Sequence, residues 1–243
     1  MKNLKLFNLE SDYLTYRNSS EYLKPNVSLS DDNGNVYYNF TPPPIVYEAV
    51  DLGLSSGTKW AAQNVGARKP SDAGLYFQWG DTVGYAAEQI GTGDGKKKFS
   101  WSDYKWSIDG SSSNFSKYNT AGATLELADD AVNANMGGTW HMPTPDQIRE
   151  LISNTDTGWT TSNGTGMTFT SKSVPSKSIF IPAAGYAWNG SFVDSGSVGS
   201  VWSSVLSSSN VYGGQSLSFY SDDAYLYDDC LRGSGFSVRG VLG

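Results

Sequence analysis

Residues 140–154 read WHMPTPDQIRELISN and hold the best-marked helix start in the chain. Thr144 stands at the N-cap, Pro145 at the first helical position and Gln147 three residues after the cap. That is a capping box with the favoured proline position. Ile148, Leu151 and Ile152 then fall on one face, which predicts a helix ending near Asn154. A second helical turn or two is expected around Leu125 to Asn135, closing at Gly137-Gly138. After Trp159 everything reads as strand and turn. Upstream, Ala49-Val50-Asp51-Leu52 and Thr58-Lys59-Trp60-Ala61 read as short strands punctuated by Gly53, Gly57 and Gly66. The run Gly74-Leu75-Tyr76-Phe77-Gln78-Trp79-Gly80 reads as an aromatic strand or buried connector. Two short helices among many short strands and long loops predict an α+β fold.

Residues 1–44 read as a separate module. Asn33-Gly34 is a hairpin signal between Val27-Ser28-Leu29 and Val36-Tyr37-Tyr38. Thr41-Pro42-Pro43-Pro44 is a stiff, extended spacer, and residues 45–243 form the main domain. Eight Trp and fifteen Tyr in 243 residues supply a sizeable core. The net charge of −7 repels phosphate, so nucleic acid is not an expected partner. The basic run Lys96-Lys97-Lys98 reads as a solvated loop tip. Cys230 is the only cysteine, so no intrachain disulfide forms, which suits folding in a reducing cytosol. The first residues lack the uninterrupted apolar stretch of a secretory signal. No run approaches the ~20 apolar residues of a membrane helix, so no membrane insertion is expected.

Catalytic chemistry is thinly represented. His141 is the only histidine, and its place between Trp140 and the helix cap suggests a structural or surface role. No metal-ligand spacing or phosphate-cradling glycine loop is visible, so no metal and no cofactor are expected. Asp129-Asp130, Asp222-Asp223 and Asp228-Asp229 read as solvated turns, without the alternating oxygen ligands of a calcium loop.

The window 193–234, VDSGSVGSVWSSVLSSSNVYGGQSLSFYSDDAYLYDDCLRGS, is filtered in composition. It has no Lys, Glu or Met, where the rest of the chain would lead one to expect about 4.6. All five of its acidic residues are Asp. Tyr gives rigid amphipathic contact area, and Ser, Gly and Asn give adaptable hydrogen bonds, the palette of binding surfaces.

A series of short motifs runs along the chain in order. They are Val50-Asp51-Leu52-Gly53-Leu54, Lys59-Trp60-Ala61, Asn64-Val65-Gly66-Ala67, Gln78-Trp79-Gly80-Asp81 and Trp101-Ser102-Asp103-Tyr104-Lys105. Lys117-Tyr118-Asn119, Asp129-Asp130-Ala131, Asn135-Met136-Gly137-Gly138 and Trp140-His141-Met142-Pro143-Thr144 continue the series. Ile181-Pro182-Ala183-Ala184-Gly185, Trp202-Ser203-Ser204 and Gly235-Phe236-Ser237-Val238-Arg239 complete it. Taken together in this order, the motifs resemble the major paralogous (FISUMP-type) domain of gut Bacteroidetes and their phages.

The resemblance spans roughly residues 46–243. It implies a C-type-lectin-like fold in the branch of the formylglycine-generating enzyme. That enzyme's chemistry needs a cysteine pair and does not carry over to a chain with Cys230 alone, so the protein is not expected to be an enzyme.

The same family includes the variable proteins of diversity-generating retroelements, whose randomised codons cannot encode Lys, Glu, Gln, Met or Trp. Trp202 and Gln215 then belong to a fixed skeleton. The resemblance implies a variable, ligand-contacting surface at Val193, Asp194, Val198, Ser200, Val201, Val205, Val211, Tyr212, Ser216, Ser218, Tyr220, Tyr225, Tyr227, Asp228, Asp229, Leu231, Gly233 and Ser234. Cys230 groups with them as an accidental thiol.

The leading segment, with Lys24-Pro25-Asn26-Val27-Ser28 and Val36-Tyr37-Tyr38-Asn39, resembles those of Bacteroidetes phage structural proteins. The expected role is a phage tail-fibre or receptor-binding protein, made in the host cytoplasm without a signal peptide and carried on the virion. It would recognise a bacterial surface protein or glycan, meet other tail proteins through residues 1–44, and admit homo-oligomerisation. A non-diversified surface or pilus-associated adhesin and a carbohydrate-active enzyme are the alternative readings.

Overall fold

A computed structural model describes residues 44–243 together with the strands β1 (Leu29–Ser30) and β2 (Val36–Tyr37). The chain divides into two units, residues 1–44 and 45–243. In the first, β1 and β2 pair antiparallel with Leu29 opposite Tyr37 and Ser30 opposite Val36. The expected Asn33-Gly34 turn, the segment 24–28 and the prolines at 42 and 43 lie outside the described residues.

The second unit is α+β and rich in sheet, with two α-helices among the described residues. Helix α1 (Ala131–Met136) is short and begins at Asp130. The Asp130 carboxylate accepts from Asn133 N at 2.9 Å and from Met142 N at 2.8 Å, and Gly137 ends the helix with φ 72°. Helix α2 (Pro145–Asn154) has the expected capping box: Thr144 Oγ1 accepts from Gln147 N, and Gln147 Oε1 accepts from Thr144 N. Ile148 and Leu151 face the core and are fully buried.

Two expectations drawn from charge are corrected here. Asp129-Asp130 is not a solvated turn, because both side chains are buried. Asp129 accepts from Lys105 at 3.2 Å, from Lys117 at 2.6 Å and from the Tyr118 hydroxyl at 2.7 Å. Burial alone pushes its carboxyl up, but those three donors outweigh it and hold the group below the usual carboxylate range. Nor is Lys97 a solvated tip. Its Nζ donates to Gln78 Oε1 at 2.7 Å and to the Asp103 carbonyl at 2.8 Å, and it lies against the rings of Tyr85 and Phe99.

Three sheets matter for the site. Strands β3 (Ala49–Asp51), β4 (Lys59–Ala61) and β15 (Val241–Leu242) form one, in the order β15-β4-β3, so the last strand pairs with one near the start of the unit. Strands β6 (Thr155–Thr160), β7 (Gly166–Ser171) and β8 (Ser178–Pro182) form an antiparallel meander. The third sheet has five strands in the order β13-β12-β11-β14-β5. These are β5 (Tyr76–Phe77), β11 (Gly199–Leu206), β12 (Gly213–Phe219), β13 (Ala224–Leu231) and β14 (Phe236–Ser237). Only the β11–β14 pairing in it is parallel.

Successive residues of a strand point to opposite faces, and the five-stranded sheet buries both. Val201, Leu217, Phe219 and Ala224 on one face join Ile148, Leu151, Trp60 and the β7–β8 residues Phe169 and Ile181 in one core cluster. Trp202, Leu206 and Phe236 on the other join Phe77, Trp79 and Met142 in a second. Trp202 stacks on Phe236 at 4.1 Å between centroids.

Arg239 is fully buried and ties three segments together. Its Nε donates to Asn64 Oδ1 at 2.9 Å, and its Nη1 donates to the carbonyls of Ala61 and Phe180 at 3.2 and 3.0 Å. Burial pushes its pKa down to about 9, so it remains a cation at neutral pH.

The close packing yields a contrast of two glycines. A Cβ on Gly199 would lie 1.8 Å from the Phe219 ring, whereas one on Gly158 would meet nothing within 4 Å. Gly199→Ala is expected to cost about 1–3 kcal/mol or more. Gly158→Ala should stay within about 0.5 kcal/mol. Urea unfolding of both variants measures this, and equal midpoints would contradict the packing described.

Candidate functional site

The face of the five-stranded sheet that carries Trp202 is covered near β14 and β5, but it opens toward β13. Cross-strand pairing sets Ser200 beside Ser218 and Ser218 beside Tyr225. The next row runs Trp202, Ser216, Tyr227. Small hydroxyls therefore floor a recess of about 430 Å³, and the edge-strand tyrosines wall it. Tyr220, Asp229, Leu231 and Ser234 line the same recess, as do Asp194 and Val198 from the connection into β11.

The far wall comes from strand β9 (Tyr186–Trp188), which pairs with β10 (Ser191–Val193) across Asn189-Gly190. Both turn residues have positive φ, 50° and 77°, as a type I′ hairpin requires. Tyr186 and Trp188 project into the recess. The rings stand at different angles. Tyr220 and Tyr225 are stacked at 6.1 Å, and Tyr225 meets Tyr227 edge-on at 6.1 Å. Burial, then a hydrogen bond with Tyr220, pushes the Tyr225 phenol up, and burial does the same to Tyr186. Both stay neutral over the physiological range.

A β-bulge shapes the outer rim. Register passes from Ser216 opposite Tyr227 to Gly214 opposite Cys230, leaving Asp228 and Asp229 to face Gln215 together. Asp228 Oδ1 accepts from Ser208 N at 3.0 Å, and its Oδ2 accepts from Ser208 Oγ at 2.8 Å. Asp229 Oδ1 accepts from Asn210 Nδ2 at 2.8 Å. The two carboxylates thus strap the 207–212 loop to β13. Behind β13, the Arg232 guanidinium lies 3.5 Å from the Phe115 ring centre and donates to the Tyr118 carbonyl at 2.9 Å.

The structure sorts the expected contact positions. Asp194, Val198, Ser200, Ser218, Tyr220, Tyr225, Tyr227, Asp229, Leu231 and Ser234 meet at the recess. Val201 is corrected: it is fully buried on the opposite face, in the core with Leu217 and Ile148, and is not a surface position. Ser216 is fully buried beneath the recess, bonded to Ser218 Oγ at 3.0 Å. Gly233 is also buried, because a Cβ there would come within 3.1 Å of the Trp101 ring. Val193, Val205, Val211, Tyr212 and Asp228 are accessible to differing degrees but do not line the recess.

Cys230 is no incidental surface thiol. It is buried with Trp79, Trp202 and Phe236, its Sγ is 3.2 Å from Ser216 Oγ, and one side of it borders the recess. Sequence reasoning missed Tyr186 and Trp188, which lie upstream of the filtered window. The alternating Tyr-Ala-Trp before Asn189-Gly190 was the available hairpin signal.

His141 packs structurally, with Nδ1 at 2.9 Å from the Met142 carbonyl and Nε2 at 3.2 Å from the Gly243 carbonyl. Among the described residues no three His, Cys, Asp or Glu side chains gather where they could hold a metal ion. Among the same residues no helix is long and apolar enough to cross a membrane. Compared with protein-family models, curated proteins and solved structures, the chain has no match in any of the three.

Burial pushes the Cys230 thiol up from 9.0 to about 12. A pKa raised by folding gives stability that is complete below the unfolded value and is lost as pH climbs through the folded one. Cys230 therefore contributes fully below pH 9, and its contribution falls between pH 9 and about 12. The native thiol should resist a disulfide reagent at pH 8 and react on unfolding. Cys230→Ser should fold and show a shallower alkaline loss of stability. Rapid labelling of the native chain would contradict this placement.

Proposed function

We propose that this chain is a ligand-recognition protein, a phage tail-fibre or receptor-binding protein with a C-type-lectin-like main domain whose recess contacts a bacterial surface molecule. The observation that carries the reading is the division of labour within β11–β13. One parity of residues, Val201, Leu217 and Leu226, packs against the core. The other, Ser200, Ser218, Tyr225 and Tyr227, lines an open recess. The exposed Tyr220 and Tyr227 admit exchange at little cost, because substitutions away from packed positions usually change stability by less than about 0.5 kcal/mol, while the buried Ser200 and Ser218 admit only small replacements.

The filtered window supports the same reading, since the Lys, Glu and Met it lacks are among the residues a pyrimidine-ending randomised codon cannot encode, with Trp202 and Gln215 read as fixed positions. Tyrosine-rich walls over small hydroxyls suit recognition, where a few aromatic anchors carry most of the binding energy. Binding rather than catalysis is the proposed activity. Residues 1–44 are proposed to join the protein to other tail components. Several copies on one tail would strengthen a weak single-site contact.

Gene sequences of sister isolates test this. Substitutions should gather at Ser200, Ser218, Tyr225, Tyr227, Asp229, Leu231 and Ser234, and spare Val201, Leu217 and Leu226. An even spread along the gene would remove the diversification claim. In parallel, Tyr225→Ser with Tyr227→Ser should cut binding to host cells by about tenfold or more, since each lost aromatic anchor is worth upwards of 1 kcal/mol. The melting temperature should move by only a few degrees. Unchanged cell binding would show that contact is made elsewhere.

A further inference from the structure

We infer that the recess takes a primary alkylammonium group, the side chain of a lysine on the surface of a partner protein. This rests on the reading of the recess as the ligand site and names the chemistry it selects. Five features favour it.

The aromatic walls include Tyr220, Tyr225, Tyr227 and Trp188, with ring planes inclined at 21° and 71° between successive tyrosines. An aromatic ring bordering such a space supplies a negative face for a cation to approach. Two carboxylates, Asp194 and Asp229, border the same space, and no Lys, Arg or His does. An entering cation therefore meets only attraction, whereas an anionic sugar or phosphate would meet two like charges.

The floor and walls are also rich in acceptors. The hydroxyls of Ser200, Ser218 and Ser234, the tyrosine phenols and both carboxylates have lone pairs to offer N–H groups. A primary ammonium has three N–H donors to satisfy them, and a quaternary one has none. The recess, at about 430 Å³, has room for a four-carbon stem, which Val198, Leu231 and Phe236 would shield from water. Finally, the chain carries a net −7, so its long-range field attracts basic patches and speeds encounter.

The chain uses the same chemistry internally. Lys105 lies 4.3 Å from the Trp106 ring centre, and Lys117 lies 4.9 Å from that of Tyr118 while bonding the Asp129 carboxylate. An ammonium held by rings and a carboxylate together is thus a motif that this fold already supports.

The test uses the full chain and three small probes, followed by NMR titration: N-acetyl-lysine methylamide, its uncharged norleucine analogue, and choline. The lysine probe should bind about tenfold or more tightly than the other two, the ratio that corresponds to 1.4 kcal/mol. Asp194→Asn should weaken it several-fold while leaving the norleucine analogue unchanged. Asp194 has φ 56°, a conformation that asparagine also tolerates, so this variant keeps its fold. Tyr227→Ser should abolish the preference.

Equal binding of the norleucine analogue would show a merely apolar recess and overturn the inference. Tighter binding of choline would overturn the requirement for N–H donors. No binding of the lysine probe, with host-cell binding still lost in the double tyrosine variant, would overturn the inference and leave the recess as the ligand site. Host-cell binding that survives in that variant would instead overturn the site itself.

Discussion

Two indoles lock the strands on which the recess is built. Trp202 Nε1 donates to the Phe77 carbonyl at 2.8 Å, and Trp79 Nε1 donates to the Ser203 carbonyl at 2.9 Å. Each ring is thus held by the segment that carries the other, and both are fully buried. Buried indole N–H groups left without acceptors would be costly, so β5 and β11 cannot slide past each other without losing both bonds. The backbone of β12 rests directly on the pair. A Cβ at Gly214 would come within 3.0 Å of the Trp202 ring and 3.1 Å of the Trp79 ring. The register of β11, β12 and β13 descends from that contact, and with it the choice of which residues face the recess.

That rigidity explains how an apparently permissive segment keeps a single fold. The recess is bounded by fixed groups: the Trp202–Phe236 stack beneath it, the β9–β10 hairpin on one side and the Asp228–Asp229 bulge on the other. Arg232 and Arg239 act as buried struts, each donating to carbonyls from segments far away in sequence. The recess-lining residues sit among these supports, and Asp229 belongs to both. Tyr227 is 46% exposed, while Leu226 beside it packs against the core.

Local chemistry was legible in the sequence wherever the partners are close together along it. Thr144, Pro145 and Gln147 announce α2, and Gly137 marks the end of α1. The bulky Trp60, Trp79 and Trp202 are core because large apolar rings have few other places to go. The composition of residues 193–234 located the wall of the recess. It did not reveal parity. In Gly199–Leu206 every residue but Val205 is buried, so no polar–apolar alternation tells Ser200 from Val201. Roles set by distant partners were equally hidden. Lys97 pairs with Asp103 and donates to Gln78, and Asp129 gathers Lys105, Lys117 and Tyr118, whereas in the sequence both sit in what look like ordinary charged turns. The bulge at Asp228–Asp229 depends on the facing strand and leaves no local mark.

The position of β15 has a consequence for synthesis. Val241 and Leu242 pair with Trp60 and Lys59, and Arg239 supplies the hydrogens that the carbonyls of Ala61 and Phe180 accept. These contacts join the two ends of the domain, so its first sheet stays incomplete on the ribosome until the final strand emerges. A premature stop or frameshift within codons 193–234 therefore removes the closing strand as well as the recess. The product would be a non-native chain open to proteolysis.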